Sequence, residues 1–247
     1  MVKSQDTQAD VRNATLALAG IVGGLTYALS DDLIFLGTNP LGPTPDLAWS
    51  QMPVWRFVGS IWVALFATAL LGCGYLSLYR MVRETCGSAI RRLTLVGTVG
   101  LGGALLAHFN IGVLAPLVYK AMMASGASDA SFVQVEAMLS AALRPLNILI
   151  IVCLYAQLVV LIYGVVSWRF GLRRPVLLVV LGVTLILALV RLVLFRLFGV
   201  SGSTGATESI FEGMMYFVPL AYWTGVAQTT RPSRESRRGQ SVRRKAR

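Results

Sequence analysis

The chain has 247 residues, of which 55% are hydrophobic and only 13% are charged, and its formal net charge is +11. Soluble domains carry about 25% charged residues, so this composition excludes an ordinary soluble globular protein. The charges are collected in short clusters between apolar stretches of about 20 residues, which is the length of a membrane-spanning helix. The composition therefore predicts an all-α, polytopic membrane helix bundle.

The apolar stretches predict six transmembrane helices. The second, third and fourth contain no charged residue, with His108 counted as neutral, whereas the others carry ionisable residues near one end. The predicted spans are 14–37, 57–79, 93–119, 145–168, 175–199 and 207–230. The predicted organisation is a cytoplasmic segment at 1–13, a six-helix transmembrane domain at 14–230 and a basic tail at 231–247.

The first predicted span has an alternative interpretation as a cleaved signal peptide. Ala28-Leu29-Ser30 has the small-x-small spacing that signal peptidase recognises, and cleavage there would leave five spans. The charge-neutral start of the chain and the length of the apolar run favour a retained helix.

Two long connections are predicted on the outer side of the membrane. Residues 38–55 contain four prolines together with Trp49 and Trp55, which predicts a loop with interfacial aromatic residues. Residues 120–144 predict a short surface helix from Ser131, because this serine and the glutamine three residues later fit a capping box. The apolar residues on one face of that helix are Phe132, Val135, Leu139 and Leu143.

The tail at 231–247 holds eight basic residues and is too polar to form a core, which predicts disorder. Since it follows the last span closely, anionic lipid headgroups are its expected partner, rather than nucleic acid. When both termini are placed in the cytoplasm, 17 of the 22 Lys and Arg residues fall on the cytoplasmic side. The positive-inside rule therefore predicts that both termini are cytoplasmic.

Ionisable residues inside spans are costly and are candidates for a functional site. Counted at about 1.5 Å per residue, four different spans place such a residue in the outer quarter of the bilayer. The candidate catalytic residues are His108, Asp31, Asp32 and Glu212. The candidate ligand-binding residues around them are Arg56, Asn110, Arg144, Asn147, Arg191, Arg196, Glu208 and Tyr216. Similar depth also predicts an ion pair between Glu212 and Arg191.

Rows of small residues at intervals of four lead to several of these charges. Small residues are enriched where transmembrane helices approach closely, so the rows predict that these faces turn inward and meet. The rows are Gly20, Gly24, Ala28 and Asp32 in the first span, Arg56, Ser60, Ala64, Thr68 and Gly72 in the second, and Gly100, Ala104 and His108 in the third.

The residue types exclude most cofactor chemistry. His108 is the only histidine, so paired-histidine metal and haem sites are excluded. No Walker A or GxSxG motif is present. The three cysteines do not have the spacing of a metal site or a disulfide framework. The sequence therefore predicts no metal and no cofactor.

Three functions remain open at this level, and the oligomeric state is open too. The leading hypothesis is an outward-facing polar cavity that binds or passes a small or amphiphilic ligand, for which the arginines predict a carboxylate or phosphate. The second is an intramembrane acid–base enzyme acting on a lipid or isoprenoid, with His108 and a nearby carboxylate. The third is a structural or partner-binding protein whose charges only tie helices together.

One region carries a resemblance. The segment GIVGGLTYALSDDLIFLG, the Pro-rich loop after it and the WRF at the entry to the second span resemble an uncharacterised family of bacterial multi-span integral membrane proteins of unknown function. The similarity lies mainly in the first 80 residues. It implies the bacterial inner membrane as the location, and it implies no activity, substrate or catalytic residue.

Overall fold

The computed structural model describes residues 2–35, 50, 52–110, 114–197 and 204–225. The regular elements in these ranges are α-helices, which confirms the predicted fold class. They are α1 (Val2–Phe35), α2 (Val54–Thr85), α3 (Ser88–Phe109), α4 (Ala115–Ala124), α5 (Asp129–Val166), α6 (Pro175–Leu197), α7 (Thr204–Met215) and α8 (Phe217–Thr224). Trp49, most of the predicted loop at 38–55 and the tail at 231–247 lie outside the described residues.

Five of these helices, α1, α2, α3, α5 and α6, are long and apolar enough to cross a membrane. Long helices suit this environment because each satisfies nearly all of its own backbone donors and acceptors without water. The chain therefore has the helices of a polytopic membrane protein. Residues 2–13, predicted as a separate segment, continue the first helix without a break.

The sixth predicted span is two shorter helices rather than one. α7 and α8 meet at Tyr216, whose backbone remains right-handed helical with φ −73° and ψ −5°. Pro219 explains the interruption, because it has no N–H to donate to the carbonyl of Met215 and its ring crowds that carbonyl. α8 ends at Gly225, whose left-handed conformation (φ 74°) terminates the helix.

The prediction of a separate surface helix from Ser131 was wrong. The residues from Asp129 to Val166 form one helix of 38 residues, about 57 Å long at about 1.5 Å per residue. Its N-cap is Ser128, whose side chain accepts from the backbone N–H of Ser131. The apolar face predicted from Ser131 therefore belongs to the first turns of α5.

The third predicted span, 93–119, also ends differently. α3 stops at Phe109, and the described chain resumes at Leu114, next to α4. Pro116 lies in the first turn of α4, where its missing N–H removes no hydrogen bond. The last part of the predicted span is therefore the beginning of a second, shorter helix.

α1 lies at the centre of the bundle, in contact with α2, α7 and α8. Glycines permit the close approach: a Cβ added at Gly20 would lie 2.6 Å from the Cα of Gly74 on α2, and one added at Gly24 would lie 2.4 Å from the Cα of Gly213 on α7. The ring of Tyr216 packs over the first of these crossings. The small residues of the first span thus face inward, as predicted.

The four-residue row of the second span follows the interface only in part. Ser60 and Ala64 are fully buried, but Thr68 is only half-buried, and a Cβ added at Gly72 would have no neighbour within 4 Å. Each four-residue step turns the row by about 40° on the helix surface. The buried face of α2 instead alternates steps of three and four, through Ser60, Ala64, Ala67, Leu71 and Gly74.

A second, smaller core closes one end of the bundle. It joins the last turn of α1 to the starts of α2, α4 and α5, and Tyr119 stacks on Phe132 with ring centroids 6.0 Å apart. Its buried residues are Ile34, Met52, Phe57, Ala115, Tyr119 and Phe132. Lys120 donates to the backbone carbonyl of Ser50 at 2.9 Å, which ties α4 to the segment before α2.

Candidate functional site

A cavity of about 160 Å³ lies between five helices, α1, α2, α3, α5 and α7. One part of its wall is apolar and the other carries ionisable and hydrogen-bonding groups. The polar lining residues are Tyr27, Asp31, Tyr75, His108, Gln157, Glu208, Ser209 and Glu212, and the apolar ones are Leu71, Gly100, Leu101, Ala104, Ala107, Ile150 and Leu154.

A buried chain of hydrogen bonds crosses three helices beside this cavity. The Nδ1 of His108 on α3 lies 3.1 Å from the Oδ1 of Asp31 on α1. The Nε2 of the same ring lies 2.7 Å from the Oγ of Ser60 on α2, and that hydroxyl donates to the backbone carbonyl of Ser30 at 2.9 Å. Both nitrogens of the only histidine are therefore occupied by protein groups.

The positions of the protons along this chain depend on the tautomer of His108. The Ser60 hydroxyl has one proton, which it donates either to the carbonyl of Ser30 or to Nε2 of His108. In the first case Nε2 of His108 donates to Oγ of Ser60. In the second case Nε2 accepts, and Nδ1–H donates to the carboxylate of Asp31.

Two more contacts hold Asp31 in place. The hydroxyl of Ser209 on α7 donates to its second oxygen, Oδ2, at 2.9 Å. The ring of Tyr27, one turn earlier on α1, meets the edge of the His108 ring with centroids 5.2 Å apart. Asp31 is therefore bonded from α3 and α7 while it still lines the cavity.

Glu212 and Glu208 lie one helical turn apart on α7 and both line the cavity. The hydroxyl of Tyr75 on α2 points to the Oε1 of Glu212 at 3.5 Å, and the ring of Tyr75 meets that of Tyr216 edge-on, with centroids 5.7 Å apart. Tyr216 itself is fully buried behind the cavity wall.

Arg191 pairs with Asp32 rather than with Glu212, which corrects the predicted pairing. The guanidinium on α6 donates to both carboxylate oxygens of Asp32, and to the hydroxyl of Thr207 at 3.3 Å. Adjacent residues on a helix are turned by about 100°, so Asp31 and Asp32 face different neighbours. Asp31 belongs to the cavity, whereas Asp32 ties α1 to α6.

The remaining predicted ligand-binding residues lie apart from the cavity wall. Arg56 donates to the backbone carbonyl of Leu33 at 2.8 Å. Asn110 donates to Leu106 of its own helix at 2.9 Å. Arg144 and Asn147 are exposed on α5, and the side chain of Arg196 lies outside the described part of the chain.

The sequence pointed to neither Ser60 nor Gln157 as polar partners at this site. Ser60 appeared only as a small residue in a row, and Gln157 is an amide in the interior of an apolar span. Gln157 is 1% exposed, and its Oε1 has no hydrogen-bond partner among the described residues; the hydroxyl of Tyr27 is likewise buried without one. A polar side chain in an apolar span is the signal that could have identified Gln157.

Within the described ranges, no three His, Cys, Asp or Glu side chains are placed to hold a metal ion. The arrangement can instead accept and release protons and hydrogen-bond a polar group. It also resembles a nucleophilic triad in its order of residues, but Ser60 is fully buried and is not part of the described cavity wall.

Comparison with known proteins gives a family and no activity. Searches of curated proteins and of solved structures found no match. A family model, described as a family of unknown function (DUF6796), matches residues 2–225, so the match includes the cavity and every described helix from α1 to α8. The resemblance to an uncharacterised family, first seen in the opening 80 residues, is confirmed: this chain belongs to the DUF6796 family of unknown function.

Proposed function

We propose that this membrane protein binds a small polar or amphiphilic ligand in the cavity between α1, α2, α3, α5 and α7. The observation that carries the proposal is a buried, hydrogen-bonded Asp31–His108 pair on the wall of a cavity of about 160 Å³. An apolar cavity of about 150 Å³ holds a molecule of the size of benzene, so the space suits a small ring or short chain with a polar end.

The proposal includes six membrane crossings with both termini in the cytoplasm and access to the cavity from the outer face. α7 and α8 together cover residues 204–224, about 31 Å at about 1.5 Å per residue, which is the thickness of the hydrocarbon core. In this orientation, which the positive-inside bias supports, Asp31 and His108 lie in the outer half of the bilayer.

The test is recovery of small molecules from the purified protein in lipid nanodiscs by mass spectrometry. Ala104 lines the cavity, so Ala104→Phe should fill it and remove a ligand that accompanies the wild-type chain. Ala69 is exposed on α2, so Ala69→Phe is the matched control and should retain the ligand. Identical small molecules in all three folded proteins would contradict the proposal.

An acid–base enzyme is the second candidate, and the Asp31–His108–Ser60 chain favours it. Because both nitrogens of His108 are occupied, a bound molecule would exchange its proton with Asp31, and His108 would resupply it. The substitution Asp31→Asn should then leave ligand binding intact but stop its conversion. Because removal and return of a proton can give an isomer of equal mass, the molecules recovered from that variant and from the wild type are compared by mass and by chromatographic retention; a difference in either would indicate conversion, and an identical molecule would favour binding alone.

A further inference from the structure

We infer that the ligand is a small organic cation of the ammonium class with an apolar part, an inference that rests on the proposed binding function. Three carboxyl groups line the cavity, those of Asp31, Glu208 and Glu212, and the described lining residues include no Lys or Arg. Asp31 is paired with His108 at 3.1 Å. Glu208 and Glu212 remain as acidic groups with no basic side chain beside them on that wall.

The amide oxygen of Gln157, which is left without a partner among the described residues, also requires a hydrogen-bond donor. Gln157 is 1% exposed and Tyr27 is 6% exposed; both line the cavity, and the amide oxygen of one and the hydroxyl of the other are unpartnered among the described groups. An amide oxygen can only accept. An ammonium group offers several donors at once, whereas a carboxylate or phosphate ligand offers none when ionised.

The rest of the wall suits the body of such a molecule. The side chains of Tyr27 and Tyr75 line the same cavity as the carboxyl groups, and aromatic faces attract organic cations. Leucine and isoleucine side chains from α2, α3 and α5 supply an apolar part of the lining; these are Leu71, Leu101, Ile150 and Leu154.

The arginines that predicted an anionic ligand are engaged elsewhere. Arg191 is bonded to Asp32 and Thr207, and Arg56 is bonded to the carbonyl of Leu33. Neither lies on the cavity wall. Their positive charges therefore do not offset the carboxylates where a ligand would bind.

The test compares three probes of similar shape and different charge: benzylammonium, benzyl alcohol and benzoate. Binding to the purified full chain in nanodiscs is measured by calorimetry, with Ala104→Phe to separate cavity binding from partition into lipid. We expect benzylammonium to bind at least about tenfold more tightly than benzyl alcohol. A hydrogen bond to a charged group contributes about the free energy that corresponds to a tenfold change in Kd. Benzoate should bind most weakly.

Substitutions of single carboxyl groups test which of them causes the preference for a cation. Glu212→Gln should weaken benzylammonium binding about tenfold and leave benzyl alcohol within about twofold. Glu136→Gln, on α5 and outside the described cavity wall, should change neither. If Glu212→Gln does not fold, Glu208→Gln serves with the same readout, because it removes the other acidic group of that wall.

Two outcomes overturn the inference in distinguishable ways. If benzyl alcohol or benzoate binds as tightly as benzylammonium, and Ala104→Phe abolishes that binding, the ligand class is wrong while the binding function stands. If no probe shows saturable binding that Ala104→Phe removes, both the ligand class and the proposed function fail.

Discussion

The buried Asp31–His108–Ser60 chain gives a hydrogen-bond partner to both ring nitrogens of a single histidine inside an apolar bundle. A buried polar group is costly unless it is hydrogen-bonded, and here the carboxylate of Asp31 and the hydroxyl of Ser60 supply the two partners. The hydroxyl of Ser209 donates a hydrogen bond to the second carboxylate oxygen of Asp31. The residues of this chain therefore depend on one another for their partners.

Ser60→Ala tests that dependence. It removes the hydrogen-bond partner of the His108 Nε2 and leaves that buried nitrogen unsatisfied, so the free energy of unfolding should fall by about 1–3 kcal/mol. Ser140 is exposed on α5, and Ser140→Ala should change it by less than about 0.5 kcal/mol. Chemical unfolding of both variants in micelles measures the difference. Equal stability of the two would contradict the hydrogen-bond chain.

The helix α1 contacts its neighbours in two different ways, because one of its faces carries glycines and another carries adjacent acids. The glycine face allows backbone-to-backbone approach to α2 and α7. The acids reach two different partners, since Asp31 bonds α3 and α7 and Asp32 bonds α6. This helix therefore joins the two sides of the bundle.

Gly24→Ala should disrupt the packing of α1 on α7. The added Cβ would lie 2.4 Å from the Cα of Gly213, and because the obstacle is backbone, the helices must separate at a cost of about 1–3 kcal/mol. Gly72→Ala, on the open side of α2, should be neutral or up to about 1 kcal/mol more stable. Thermal unfolding compares the two, and a Gly24→Ala protein as stable as Gly72→Ala would exclude this contact.

The Asp32–Arg191 pair should behave as a structural tie between α1 and α6. Asp32→Asn and Arg191→Leu should each destabilise the protein, because each leaves a partly buried polar group without its partner. The double variant should recover part of the loss, with a coupling energy of about 1–3 kcal/mol in a double-mutant cycle. Strictly additive losses would show that the two side chains do not depend on each other.

At the scale of the whole molecule, the polar groups are distributed unevenly along the bundle. The Asp31–His108 pair and the Asp32–Arg191 pair lie near the end where α1 finishes, close to the second core around Ile34 and Phe57. At the opposite end of α1, Arg80 donates to the side chain of Asn13 at 2.7 Å. The orientation of the bundle in the membrane therefore decides which side can reach the cavity.

Fusion reporters test that orientation. Under the proposed topology, reporters at residue 86 and at the C-terminus should report the cytoplasm, and reporters at 46 and 128 should report the outside. A C-terminal reporter on the outside would contradict six crossings and would leave α7 and α8 as a segment that does not span. Reporters at 86 and 128 on the same side would contradict the predicted third span.

The helical class and most spans could be predicted from the sequence. The length of an apolar segment and its lack of charge are local properties, and they decide whether the segment can cross a bilayer. The inward-facing side of α1 was also predicted from the sequence, because rows of glycine are typical of closely packed transmembrane helices. The length of α5 was not predicted. A polar connection and a capping box at Ser131 favoured a break in the chain there, whereas the structure has one continuous helix.

From the amino-acid sequence one could predict that ionisable residues from several helices lie at similar depths, and one could see that no Walker A, GxSxG or paired-histidine motif is present. Which of these residues meet depends on how the helices pack. Asp31 and Asp32 are adjacent in sequence but differ by about 100° in direction on the helix, so one joins His108 at the cavity and the other joins Arg191. The position of a side chain along its helix follows from its residue number. Its partners depend on how the five helices around the cavity are rotated and packed against one another.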